Sequence, residues 1–138
     1  MNKHKGKRVL VFGTFDKIHD GHIFFLREAQ KLGDELFVSI ARDKNIKLFK
    51  NKDPLLPEKE RLVEVEALSL AKEVFLGDEV IGTWTHIRRL EPHIIAVGYD
   101  QRELGIALEN IKKDFTFEIV RIRSHLPETF HSSILNNL

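Results

Sequence analysis

The sequence predicts a single α/β domain over residues 1–138: a doubly wound parallel sheet of five strands with helices on both faces, a Rossmann-like arrangement. Three observations predict it. Short β-branched and aromatic runs alternate with segments of helical period along the chain. Glycine or proline stands at several junctions between them. No internal repeat, low-complexity tract or linker interrupts the alternation.

Residues 9–12 (VLVF) form a short β-branched and aromatic run that ends at Gly13, the first strand. Residues 21–32 place Ile23, Phe24, Leu26, Ala29 and Leu32 near helical spacing, and Gly33 stops that helix. Residues 36–41 are the second strand. Residues 42–57 are polar, rich in lysine and hold two prolines, which predicts a loop. Residues 58–70 return to helical period through Leu62, Val63, Val65, Ala67 and Leu70, with Pro57 placed to begin the helix. Residues 73–76 are a third strand before a Gly-Asp turn, 84–90 a helix, and 94–97 a fourth strand entered after Pro92. Residues 104–111 are a further helix, 115–122 the last strand and 132–138 a terminal helix. Open parallel sheets bind ligands at the carboxyl ends of their strands, where strand order reverses. Three segments fall at such ends: 13–22, 42–57 and 98–101.

The chain of 138 residues is long enough for one buried core and short for two. Its apolar share of 42% and charged share of 31% are those of a soluble globular protein. A formal net charge of +1 gives no reason to expect nucleic acid as a partner. There is no cysteine, which excludes disulfides, thiolate catalysis and Cys-based metal sites. The apolar run after the basic N-terminus stops at Asp16, too short for a signal-peptide core or a membrane span. A cytoplasmic protein with no membrane partner is expected.

The segment GTFDKIHDGH, residues 13–22, carries the chemistry. His19 and His22 are three apart at the start of the first helix, so both imidazoles can address one ligand. The backbone N–H groups and the positive end of the helix dipole make the same place a phosphate site. Gly13 permits close backbone approach, and Gly21 leaves room for a triphosphate. Nucleotidyl transfer moves negative charge onto the α-phosphate oxygens and departing pyrophosphate, which positioned N–H donors stabilise without a side-chain nucleophile. Two histidines at this spacing also occur as plain surface pairs or metal ligands, and only Asp16 and Asp20 lie near enough in sequence to help hold a metal.

GTFDKIHDGH resembles the signature of the cytidylyltransferase-like nucleotidyltransferase superfamily. The resemblance implies that both histidines contact the nucleotide phosphates, with Gly13, Thr14, Phe15, Asp16 and Gly21 lining the nucleotide. Three further segments resemble the small archaeal-type FAD synthases of that superfamily: residues 39–61 (SIARDKNIKLFKNKDPLLPEKER), 93–101 (HIIAVGYDQ) and 130–134 (FHSSI). They imply that ATP and FMN react to give FAD and pyrophosphate, with Mg²⁺ on the phosphates. They also imply Lys47 as the loop lysine at the triphosphate, Arg61 paired with phosphate oxygens, and Gly98, Asp100 and Gln101 at the nucleotide. Ser132 and Ser133 would be phosphate ligands at the last helix start. Set against these, a lysine-rich loop also arises as a solvated surface, and an arginine early in a helix as an exposed one. Asp100 could equally be a turn-forming residue. Trp84, a lone aromatic, is read as core. By analogy with relatives, a homodimer is expected. The alternatives are the same transfer onto glycerol 3-phosphate or a sugar phosphate, and a nucleotide-binding module without catalysis.

Overall fold

The computed structural model describes residues 6–123. Among them are β1 (Arg8–Gly13), α1 (Asp20–Gln30), β2 (Glu35–Ile40), α2 (Asp43–Lys50), α3 (Glu58–Ala67), β3 (Glu73–Leu76), α4 (Thr85–Leu90), β4 (Ile94–Gly98), α5 (Arg102–Ile111) and β5 (Glu118–Ile122). All four strand pairings are parallel and the order is β3-β2-β1-β4-β5, so the chain reverses its direction of winding between β1 and β4. The doubly wound parallel sheet is thus as the alternation predicts.

The two-residue period of the strands divides the core between the faces. Val9 and Val11 of β1, with Val38, Ile40 and Ala96, pack against Leu26 and Ala29 of α1 and Val65 of α3. Leu10, with Phe37, Ile95 and Val97, packs against Ile87 and Leu90 of α4 and Leu108 of α5. Arg8 is buried because its guanidinium donates to the carbonyls of Leu90 and Glu91 at 2.7 and 2.6 Å, closing the end of α4.

Two elements differ from expectation. Residues 42–57 are not one loop: α2 occupies their first half. Its lysines are good helix formers. Asp43 lies in the first turn and Lys47 and Lys50 in the last, each sign matched to its end of the helix dipole. Ile46 is its buried anchor, and Asn51 ends it in the left-handed region at φ 55°. Both prolines fall after that end. The last strand begins at Glu118 rather than 115, since a 3-10 turn at Lys112–Asp114 occupies the approach and Phe117 is buried in the second core half. Trp84 stands just before α4 and meets the Phe12 ring edge-on at 5.8 Å, a core residue as expected. The terminal helix expected at 132–138 lies outside the described residues.

Candidate active site

The turn after β1 is built so that two histidines cap one helix. His19 is extended at the N-cap of α1, and its Nδ1 accepts the N–H of Gly21 at 3.0 Å. The Nδ1 of His22 reaches back to accept the N–H of His19 at 3.2 Å. The two rings lie 3.9 Å apart between centroids, tilted by 33°. A backbone N–H can only donate, so each Nδ1 presents its lone pair and each ring carries its proton on Nε2. The capping pair therefore selects the tautomer that leaves two Nε2–H donors for a ligand at the helix start.

Burial pushes the pKa of His22 below its ordinary value of 6.5, and the neighbouring His19 adds to the shift, while Asp100 and Asp16 oppose it. The shift favours the neutral ring, the form that its capping bond uses.

The loop that carries this pair is held from below. Phe15 takes a left-handed backbone at φ 51°, and its ring is 3% exposed, with its centroid 5.5 Å from that of His22. A Cβ at Gly13 would stand 2.5 Å from that ring, so the glycine makes space for Phe15 as well as marking the strand end. Gly21 has a related purpose: a Cβ there would lie 2.9 Å from Cε1 of His19. The structure thus gives Gly21 a role toward the His19 ring, in addition to the ligand space read from the sequence.

Three of the residues expected at the nucleotide have side chains engaged within the protein. Phe15 is too buried to offer its ring to a nucleotide. Asp16 uses both carboxylate oxygens to accept the N–H groups of Leu55 and Leu56, at 2.7 and 2.9 Å. Arg61 is 0% exposed, and its guanidinium is spent on partners within the protein. Its guanidinium donates to the carbonyls of Leu56 and Thr14, each at 2.9 Å, and to Asp43 at 2.6 Å. One buried cation thereby joins the β1 turn, the start of α2 and the approach to α3. Asp43 and Glu58 complete the junction, each carboxylate accepting the other's backbone N–H at 2.8 and 3.2 Å.

Lys47 lies on α2, more than half exposed, with its ammonium 3.9 Å from Asp53. Gly98 ends β4 across the winding reversal from β1, and Asp100 is exposed just beyond it. Gln101 spans the two strand ends, its Nε2 donating to Phe12 at 2.7 Å and its Oε1 accepting from Gly98 at 2.8 Å. His19, His22, Asp16 and Asp100 are brought together at the reversal. Ser132 and Ser133 lie outside the described residues.

Arg121 of β5 belongs to no motif that the sequence marks. It donates to the carbonyl of Gly98 at 3.0 Å, and a Cβ at Gly105 would fall 2.6 Å from its guanidinium. A glycine inside a helix is unfavourable by roughly 1 kcal/mol, and that misfit was the available signal. Among the described residues, no group of three or more His, Cys, Asp or Glu side chains is gathered as for a metal ion. No helix among them is long and apolar enough to cross a membrane.

Comparison with known proteins agrees with this geometry. The sequence profile of the Cytidylyltransferase-like family matches residues 10–135. A protein named FAD synthase from Ferroglobus placidus (strain DSM 10642 / AEDII12DO) is 45% identical over 120 residues, covering 86% of this chain and 77% of that one. One of the same name from Methanosarcina mazei is 46% identical over 117 residues, covering 83% and 76%. A crystal structure titled as the lipopolysaccharide core biosynthesis protein from Thermoplasma volcanium GSS1 superposes with a TM-score of 0.77 at 36% identity, over 87% of this chain and 98% of that one. Pantoate-beta-alanine ligase from Francisella tularensis shares the fold alone, with a TM-score of 0.60 at 13% identity over 89% and 60%. Strand order, the capping histidines at the winding reversal and the matched profile give one conclusion: the chain belongs to the cytidylyltransferase-like family.

Proposed function

We propose that this chain is an FMN adenylyltransferase: it transfers AMP from ATP to FMN, giving FAD and pyrophosphate. The observation that carries the transfer chemistry is the reciprocal histidine cap, which aims two Nε2–H donors outward from the N-terminus of α1 at the β1–β4 reversal. The acceptor is supported by relatives named FAD synthase at 45% and 46% identity.

The proposed step needs no covalent enzyme intermediate. An oxygen of the FMN phosphate attacks the α-phosphorus of ATP, and the bond from that phosphorus to the bridging oxygen breaks to release pyrophosphate. Charge grows on the α-phosphate oxygens and on the leaving group. His19 and His22 donate to it from fixed positions, each contributing about 100-fold or more in rate. Mg²⁺ enters as the counter-ion of the ATP substrate. Lys47, on exposed α2, adds positive charge at the triphosphate. The partners are the two small-molecule substrates.

The test crosses ATP and CTP against FMN, glycerol 3-phosphate and a heptose phosphate, with Mg²⁺ present, and identifies products by chromatography. FAD formed from ATP and FMN alone supports the proposal. The heptose phosphate is included because the Thermoplasma protein's title names lipopolysaccharide core biosynthesis. Turnover there without FAD would replace the acceptor while keeping the histidine chemistry.

A further inference from the structure

β1 and β4 part before either strand ends. β1 keeps register with β2 as far as Gly13↔Ile40, and β4 keeps register with β5 as far as Gly98↔Ile122. The ladder between β1 and β4 stops at Val11↔Ala96. A cleft therefore opens at the winding reversal, and two backbone groups at its edge, the Phe12 carbonyl and the Gly98 N–H, are joined by one side chain. The Gln101 amide donates to the first at 2.7 Å and accepts from the second at 2.8 Å. A primary amide suits this place because it presents a donor and an acceptor on one flat group.

The backbone of Gln101 is fixed as well. Its N–H donates to the Gly98 carbonyl and its carbonyl accepts from Gly105, each at 3.1 Å. Four hydrogen bonds thus hold the residue, and the two residues before it, Tyr99 and Asp100, form an exposed tip.

We propose that Gln101 is a positioning residue of the transfer site: its amide replaces a rung of the β1–β4 ladder, sets the opening of the cleft and holds the turn that carries Asp100 at its mouth. Both amide atoms are engaged with backbone, so this role differs from direct nucleotide contact. The proposal rests on the proposed function only for its kinetic readout.

The ionisable groups that face His22 are His19 from its own helix, Asp16 from the β1 turn and Asp100 from the β4–α5 turn. Asp16 is tied separately, to Leu55 and Leu56. Loss of the Gln101 amide therefore removes two of the four hydrogen bonds that hold the turn carrying Asp100, and leaves those of Asp16 in place. Gln101→Met keeps the length of the side chain and removes both hydrogen bonds.

The test is an NMR titration of the histidine rings in the full chain, comparing wild type, Asp100→Asn, Gln101→Met and the double variant. Asp100 favours the charged ring, so its removal lowers the His22 midpoint. Gln101→Met is expected to lower it in the same direction, and the double variant to go no lower than Asp100→Asn alone. With ATP and FMN, Gln101→Met is expected to raise the KM for ATP about tenfold. A His22 midpoint unchanged in Gln101→Met, or shifts that add in the double variant, would overturn the proposal. If circular dichroism shows that Gln101→Met does not fold, Gln101→Asn keeps the amide on a shorter arm. It is then expected to lower the midpoint, and no change there also overturns the proposal. Absence of FAD from wild type would count against the acceptor reading and leaves the titration as the deciding result.

Discussion

Gly21→Ala separates the two duties of the histidine cap. A Cβ at this position would lie 2.9 Å from Cε1 and 3.1 Å from Nδ1 of His19, which is too close to leave the ring where it is. The obstructing atoms belong to the end of a side chain, so the ring swings aside and the backbone need not move. The helix gains about 1 kcal/mol from replacing glycine by alanine. It loses about 1 kcal/mol with the N-cap bond to Gly21. These nearly cancel, so the melting temperature is expected to stay within a few degrees of wild type. Catalysis has no such offset. Displacing one Nε2–H donor by about an ångström is expected to lower kcat by roughly 100-fold, near 2.7 kcal/mol of transition-state stabilisation. The assay is FAD formation at saturating ATP and FMN, beside a thermal melt without ligand. A His19→Ala background decides the cause: once His19 is absent, adding Gly21→Ala is expected to cost nothing further. Wild-type kcat in Gly21→Ala, or losses that multiply in the double variant, would refute the reasoning.

Three further outcomes are expected. Arg61→Leu leaves the Thr14 and Leu56 carbonyls unpaired and frees Asp43; because Asp43 is 41% exposed, the loss is discounted to about 2–3 kcal/mol, roughly 10 °C in a melt, and an unchanged melt contradicts the brace. Lys47→Ala breaks only an exposed pair with Asp53 at 3.9 Å, so stability is expected to move by less than about 0.5 kcal/mol while the KM for ATP rises; an unchanged KM removes Lys47 from the triphosphate site. His22 is held below 6.5 by burial and by His19, so the fold favours its neutral form. Its contribution to stability is fully present above pH 6.5 and is lost as pH falls through the lowered value, and activity is expected to fall there too. Denaturant midpoints and kcat measured from pH 8 downward test this, and an acid limb above 6.5 contradicts it.

Most of the fold could be read from the sequence because it rests on local signals. The β1, β3 and β4 runs are short, apolar and bounded by glycine or proline, and the histidine signature marked the strand-to-helix turn after β1. α2 escaped because eight residues with one buried side chain, Ile46, give almost no periodic signal, and its lysines read equally well as a solvated loop. In the site, the histidines were legible because two residues close in sequence cap one helix. The braces were not. Arg61 reaches Thr14 across 47 positions and Gln101 reaches Phe12 across 89, and the sequence does not show which polar side chains fold inward onto backbone carbonyls. His19, His22, Asp16 and Asp100 meet at the cleft, Asp16 being also tied to backbone there, while the side chains of Phe15 and Arg61 are buried beneath it.

The most direct measurement follows the fate of labelled ATP. Wild type and His22→Ala are each incubated with FMN, Mg²⁺ and ATP labelled at either the α- or the γ-phosphate, and the flavin product is separated. The expected result is α-label in FAD, γ-label in pyrophosphate, and a rate about 100-fold lower in His22→Ala. Label absent from any flavin product, or equal rates in the two proteins, would contradict nucleotidyl transfer by the histidine pair.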